Sequence, residues 1–292
     1  MKIIRKNLTE DGRVHLIGYI QEPSKEMKAI ATKPAVLVLP GGAYLFTSDR
    51  EAEPIALAYA AQGFQTFVLR YSVGRHANGC KPLKEASDAI GLIRENAEEW
   101  HVYPDKIAVC GFSAGGHLAA WVGLKGENKP NAMILAYPAV EIAATPGSDN
   151  PIIRALLGKD QYTQKDIDEL NLVNYVNENA IPMFCWHTVE DALVDVNGVI
   201  RFIAAYAKYG RPFECHIFQE GEHGLALCTP VTANGRLSMV DSHAEKWFAM
   251  SVEWLYRNFG KPEIVDKPHE FIPELFPEEE RYRFIDRNKK EN

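Results

Sequence analysis

The chain has 292 residues, of which 46% are hydrophobic and 24% charged. That composition belongs to an ordinary soluble globular protein and excludes a disordered, collagen-like or coiled-coil chain. The formal net charge of −7 comes with no clustered Lys/Arg surface, which argues against nucleic-acid binding. No apolar run reaches the ~18 residues that a membrane span requires.

The first residues, Met1 to Asn7, carry positive charge with no apolar segment behind them, so they are not expected to act as a secretory signal. The five cysteines (80, 110, 185, 215 and 228) are odd in number, widely spaced and lack C-x-x-C. That pattern predicts a reduced, cytoplasmic protein with buried thiols and no zinc site.

In chain order, Val14 to Ile20 reads as an early strand, antiparallel and near a sheet edge. Ala35 to Leu39 is a continuous apolar run ended by Pro40-Gly41-Gly42, the mark of a central buried strand. Glu51 to Gln62 has helical spacing and stops at Gly63. Gln65 to Tyr71 is the next strand and Lys84 to Trp100 a long amphipathic helix. Lys106 to Cys110 is a strand that runs into Gly111-Phe-Ser-Ala-Gly115, followed by a helix to Lys125 and a strand from Ala132 to Tyr137.

Residues 140–180 are rich in Pro, Asn, Asp and Gly, with short helical pieces at 152–157 and 164–170. They read as a cap-like insertion over one end of the sheet. Alternation then resumes with a strand (182–188), a helix (197–209), a strand (212–218) and a helix (241–259). This order predicts an α/β fold with a central, mostly parallel sheet and helices on both faces. Residues 1–260 are expected to form one domain, and 261–292 a surface tail that invites a homo-oligomer.

G-x-S-x-G is a short pattern whose meaning depends on context. Here a strand precedes it and a helix follows. A sharp strand-to-helix turn lifts the serine oxygen clear of the sheet, and small residues beside it let the backbone close tightly. Ser113 is therefore the candidate nucleophile. A serine hydroxyl needs a base held by an acid, both placed after later strands, acid first. Asp191 follows the strand 182–188 and is the preferred acid, with Glu190 and Asp195 as neighbours that could serve instead. His223 follows the strand 212–218, between Glu222 and Gly224, and is the candidate base. His117 reads as a packing residue, His187 as support for the acid loop, and His216 as a strand residue. A metal site built on Glu220, Glu222 and His223 lacks further ligands. The Pro40–Tyr44 loop can present backbone amides to a developing oxyanion, joined by the amide of Ala114. It does not match the phosphate-loop patterns. Tyr44, Phe112, Trp186 and Leu193 are candidate pocket walls.

Together these residues resemble the α/β-hydrolase superfamily. More narrowly, the chain resembles the bacterial acetyl-esterase and acetylxylan-esterase-like branch related to the H-G-G-G lipase/esterase group. The resemblance covers nearly all of residues 14–259. It rests on Leu39-Pro-Gly-Gly-Ala-Tyr44, Arg50-Glu-Ala-Glu-Pro-Ile-Ala56, Leu69-Arg-Tyr-Ser72, Gly111-Phe-Ser-Ala-Gly-Gly-His-Leu-Ala119, Trp186-His-Thr-Val-Glu-Asp191 and His216-Ile-Phe-Gln-Glu-Gly-Glu-His-Gly-Leu225. It implies an α/β-hydrolase fold, with nucleophile, acid and base at Ser113, Asp191 and His223. The implied oxyanion donors are Gly42, Ala43 and Ala114. Pro40 stands where the wider group has His, and Ala43 where a third Gly is common; Ala keeps its N–H.

The implied activity is a serine carboxylesterase that needs no cofactor and removes short acyl groups, acetyl foremost. Its expected substrate is a small-molecule ester such as an acetylated oligosaccharide. An arylformamidase- or peptidase-like amide hydrolase on the same triad is the nearest alternative. A non-catalytic binding protein would be expected to have lost one of the three residues. A long-chain lipase is disfavoured by the lack of an apolar lid helix in residues 140–180.

Overall fold

The computed structural model describes residues 1–262, together with Leu275 and Glu278. The tail expected over residues 261–292 otherwise lies outside the described residues. The fifteen main elements are β1 (Lys2–Asn7), β2 (His15–Ile20), β3 (Lys33–Leu39), α1 (Glu53–Ala61), β4 (Gln65–Arg70), α2 (Lys81–Glu95), β5 (Val102–Phe112), α3 (Ala114–Lys125), β6 (Ala132–Ala136), α4 (Pro151–Leu157), α5 (Gln164–Leu170), β7 (Met183–Thr188), α6 (Val196–Lys208), β8 (Phe213–Phe218) and α7 (Lys246–Phe259). They build one eight-stranded sheet in the order β1-β2-β4-β3-β5-β6-β7-β8. β2 is antiparallel to both β1 and β4, and all other pairs are parallel. β2 therefore lies one strand in from the edge. The edge is β1, formed by the charged N-terminal stretch, whose side chains are almost all exposed.

The central strands read as unbroken apolar runs because both faces are covered. In β3, Ala35, Leu37 and Leu39 enter one core, packed under α2, α3 and α6. Val36 and Val38 enter the other, under α1 and α7. The two-residue side-chain period thus splits a single apolar run between two cores. α3 is apolar all round, and residues 114–124 are all buried, which is the pattern of a helix enclosed by the protein. α4 and α5 lie within residues 140–180 and pack Ile153, Leu156, Ile167 and Leu170 into the same core as α3.

Register sets the working end of the sheet. Leu39 of β3 pairs with Gly111 of β5, Phe112 with Ala136 of β6, and Thr188 of β7 with Phe218 of β8. The carboxyl ends of these strands are therefore close to level. In open α/β sheets, ligands bind in the crevice beyond those ends. Among the described residues, no helix is long and apolar enough to cross a membrane.

Candidate active site

The turn from β5 to α3 explains the glycines of the motif. Ser113 sits at φ 54°, ψ −117°, a conformation costly for a residue with a Cβ. It is held there by neighbours: Ser113 N–H donates to Ala136 O (3.0 Å), and Ser113 O accepts from His117 N–H (3.0 Å) and Ala139 N–H (3.1 Å). A Cβ on Gly111 would fall 2.1 Å from Gly115 O, and one on Gly115 would fall 2.0 Å from Leu39 O. Backbone occupies both positions, so no side-chain rotation relieves the clash. Gly115→Ala is expected to cost about 3 kcal/mol or more of stability, seen as a lower urea midpoint; a midpoint equal to that of the parent would contradict the packing described.

Ser113, His223 and Asp191 come from three separate strand ends and meet in one line. Ser113 Oγ lies 2.7 Å from His223 Nε2, and His223 Nδ1 lies 2.6 Å from Asp191 Oδ2. A carboxylate only accepts, so Nδ1 carries the proton and Nε2 is free to accept from Ser113. The other carboxylate oxygen of Asp191 accepts two amides, Leu193 N–H and Val194 N–H, both at 2.9 Å. Burial pushes the Asp191 carboxyl up, but the hydrogen bond and charge of His223 and these two amides outweigh it and hold it below the ordinary carboxylate range. Of the two neighbouring acids, Asp195 caps α6 by accepting from Asn197 N–H (2.9 Å), and Glu190 accepts from Gly221 N–H (3.2 Å). Neither is bonded to His223.

The loop after β3 folds on itself. Gly42 has φ +129°, and a Cβ there would fall 2.2 Å from Phe46 O, so only glycine fits. Ala43 and Tyr44 both take left-handed backbone, at φ 55° and 58°. The amides of Gly42, Ala43 and Ala114 donate to no acceptor among the described residues. All three residues line a cavity of about 460 Å³ that also holds Ser113 and His223.

Of the four expected wall residues, only Leu193 lines this cavity; it is 79% exposed. Tyr44, Phe112 and Trp186, expected at the pocket wall, are instead core residues. Phe112 and Trp186 point from their strands into the core beneath α7, and Trp186 stacks on Trp247 with centroids 5.2 Å apart. Tyr44 is buried and its OH donates to His117 Nδ1 (2.8 Å), while His117 Nε2–H donates to Leu170 O (2.9 Å). His117 thus ties the Pro40–Tyr44 loop to α5, and burial lowers it to about 4, so it stays neutral. The cavity walls are instead Phe46, Ile152 and Met239, with Arg50, Glu51 and Arg236 supplying charge. His187 is fully buried, with Nε2 3.8 Å from Asp191 Oδ2. Glu222 pairs with Arg236. Among the described residues, no group of three or more His, Cys, Asp or Glu could hold a metal ion.

The BD-FAE family model matches residues 20–205. The chain belongs to the BD-FAE family. An acetylxylan esterase of Xylanibacter ruminicola is 28% identical to it over 231 residues, covering 76% of this chain and 46% of that protein. The crystal structure of an α/β-hydrolase enzyme from a Medee basin deep-sea metagenome library shares 37% identity with a TM-score of 0.75, covering 88% of this chain and 98% of the other. That of an acetyl ester-xyloside bifunctional hydrolase from Caldicellulosiruptor lactoaceticus shares 31% identity with a TM-score of 0.71, covering 85% and 88%. This BD-FAE protein has the α/β-hydrolase fold. It spans 33% and 46% of the length of two curated relatives that it matches.

Proposed function

We propose that this BD-FAE protein is a serine carboxylesterase that removes short acyl groups, above all acetyl, from carbohydrate or small-alcohol esters. The observation that carries the reading is the unbroken relay Ser113 Oγ–His223–Asp191, at 2.7 and 2.6 Å. His223 Nε2 takes the hydroxyl proton as Ser113 Oγ attacks the ester carbonyl. Asp191 fixes the tautomer and stabilises the imidazolium. The oxyanion meets the amides of Gly42, Ala43 and Ala114, residues that line the cavity and whose N–H groups donate to no acceptor among the described residues. His223 then gives its proton to the departing alkoxide, and water repeats the attack on the acyl-enzyme.

The cavity shape supports a polyhydroxyl leaving group. A second cavity of about 400 Å³ shares Ala139, Ile152, Leu193 and Val194 with the first, and is lined by Glu141, Asn150, Asn171, Asp195 and Arg201. It offers a sugar a wall of donors and acceptors beside the nucleophile. The acetylxylan esterase and acetyl ester-xyloside hydrolase among the relatives point the same way. The test is kcat/KM on p-nitrophenyl acetate, butyrate and octanoate, followed by acetate release from acetylated xylo-oligosaccharides. The expected result is a steep fall with chain length, each misfit methylene costing about 1–3 kcal/mol. Equal turnover of acetate and octanoate would refute the short-acyl assignment.

A further inference from the structure

The segment Arg50-Glu51 lies at the cavity but takes no part in the steps above. Glu51 is 4% exposed, and a buried carboxylate is costly unless its oxygens are hydrogen-bonded. Both its oxygens are. Gly41 N–H donates to Oε2 (2.9 Å), and Tyr137 OH donates to Oε1 (2.7 Å). Tyr137 OH in turn accepts Ala226 N–H (3.0 Å). The Tyr137 ring meets the His223 imidazole edge-on, with centroids 5.1 Å apart. Arg50 completes the arrangement: its Nη2 donates to Gly224 O (2.7 Å) and its Nε to Thr232 O (2.5 Å). One dipeptide therefore grips the loop that carries Gly42 and Ala43 and, from the other side, the loop that carries His223. Gly41 is part of this fit, since a Cβ there would fall 2.7 Å from Glu51 Oε2 and 3.0 Å from Ser113 Cβ.

We propose that Glu51 is a positioning residue that locks the oxyanion loop to the histidine loop, through Gly41 on one hand and Tyr137 on the other. This rests on the esterase reading above. An ion pair buried for stability alone is often replaceable by apolar packing without loss; a carboxylate bonded to two loops of one site does something apolar packing cannot. Burial holds the Glu51 carboxyl above its ordinary range, and the hydrogen bonds from Tyr137 and Gly41 and the charges of His223 and Arg50 offset only part of that rise. The other charged or titratable groups set around His223 are Asp191 and His187 from the β7 end, Arg50, and the Glu222–Arg236 pair.

The test is Glu51→Gln, nearly isosteric and uncharged, with Tyr137→Phe as a second variant. A stoichiometric phosphonate that titrates Ser113 counts competent sites. For Glu51→Gln on p-nitrophenyl acetate, kcat per titrated site is expected to fall about 10- to 100-fold with KM little changed, because oxyanion donors act in the transition state. Tyr137→Phe should lower kcat per site by about threefold or more, the worth of one hydrogen bond, and decides the matter if Glu51→Gln does not fold. Wild-type kcat per titrated site overturns the proposal, as does a loss that merely tracks the fraction of sites titrated. Ester turnover unaffected by Ser113→Ala would instead overturn the esterase reading itself, so the two failures are distinguishable.

Discussion

Ser113→Ala is expected to lower kcat on p-nitrophenyl acetate by about four to six orders of magnitude, with the fold intact. The loss is large because the relay has no second entry point: without Oγ there is no acyl-enzyme, and His223 has no hydroxyl to deprotonate. Residual turnover would come from the amides of Gly42, Ala43 and Ala114 acting on a water-attacked carbonyl, which is why the expected rate stays above that in plain water. The backbone tolerates the change. Ser113 already holds φ 54° with a Cβ in place, and alanine needs nothing more. One hydrogen bond to His223 is lost, worth about 1 kcal/mol. A melting temperature close to the parent's, together with near-normal ester turnover, would remove Ser113 from the mechanism.

The working end of the sheet was legible because its signals are local. The apolar run 35–39, the glycines at 111 and 115 and the loop His223-Gly224 each lie within a few residues of the strand end they mark. What escaped reading depends on distance. The partners of Glu51 and Arg50 lie up to 182 residues away along the chain, so the motif Arg50–Ala56 could be noticed without its purpose being visible. β1 escaped because an edge strand held by backbone bonds needs no apolar alternation, and Lys2–Asn7 shows almost none. The last helix starts at Lys246 and not at Asp241, because Asp241 turns its side chain back to accept His243 N–H (2.7 Å) and Ala244 N–H (2.8 Å), building a turn before the helix. Tyr44, Phe112 and Trp186 were misplaced for a related reason. For Phe112 and Trp186, adjacent strand residues face opposite sides of a sheet, and nearness in sequence to Ser113 or Asp191 does not tell which side; Tyr44 is turned inward by its bond to His117, 73 residues along the chain.

Asp191→Asn separates orientation from charge. The side-chain oxygen can still accept Leu193 N–H and Val194 N–H, as Oδ1 does now at 2.9 Å. The amide nitrogen then faces His223 Nδ1 and can only donate to it. Nδ1 becomes the acceptor, the proton moves to Nε2, and the imidazole can no longer take the hydroxyl proton of Ser113. The expected loss in kcat at neutral pH is about 10⁴-fold, the size seen when a triad histidine is held in the wrong tautomer. Stability should change with pH in a defined direction. The Asp191 carboxyl is depressed in the folded protein, so its ionised form adds stability above the unfolded carboxylate range, and that contribution is lost as pH falls through the lower folded value. The melting temperature of Asp191→Asn is therefore expected to lie below the parent's at pH 7 and to converge on it as pH drops beneath about 4. A gap that widens toward acid would mean that Asp191 is protonated in the folded state, and the tautomer argument would fall with it.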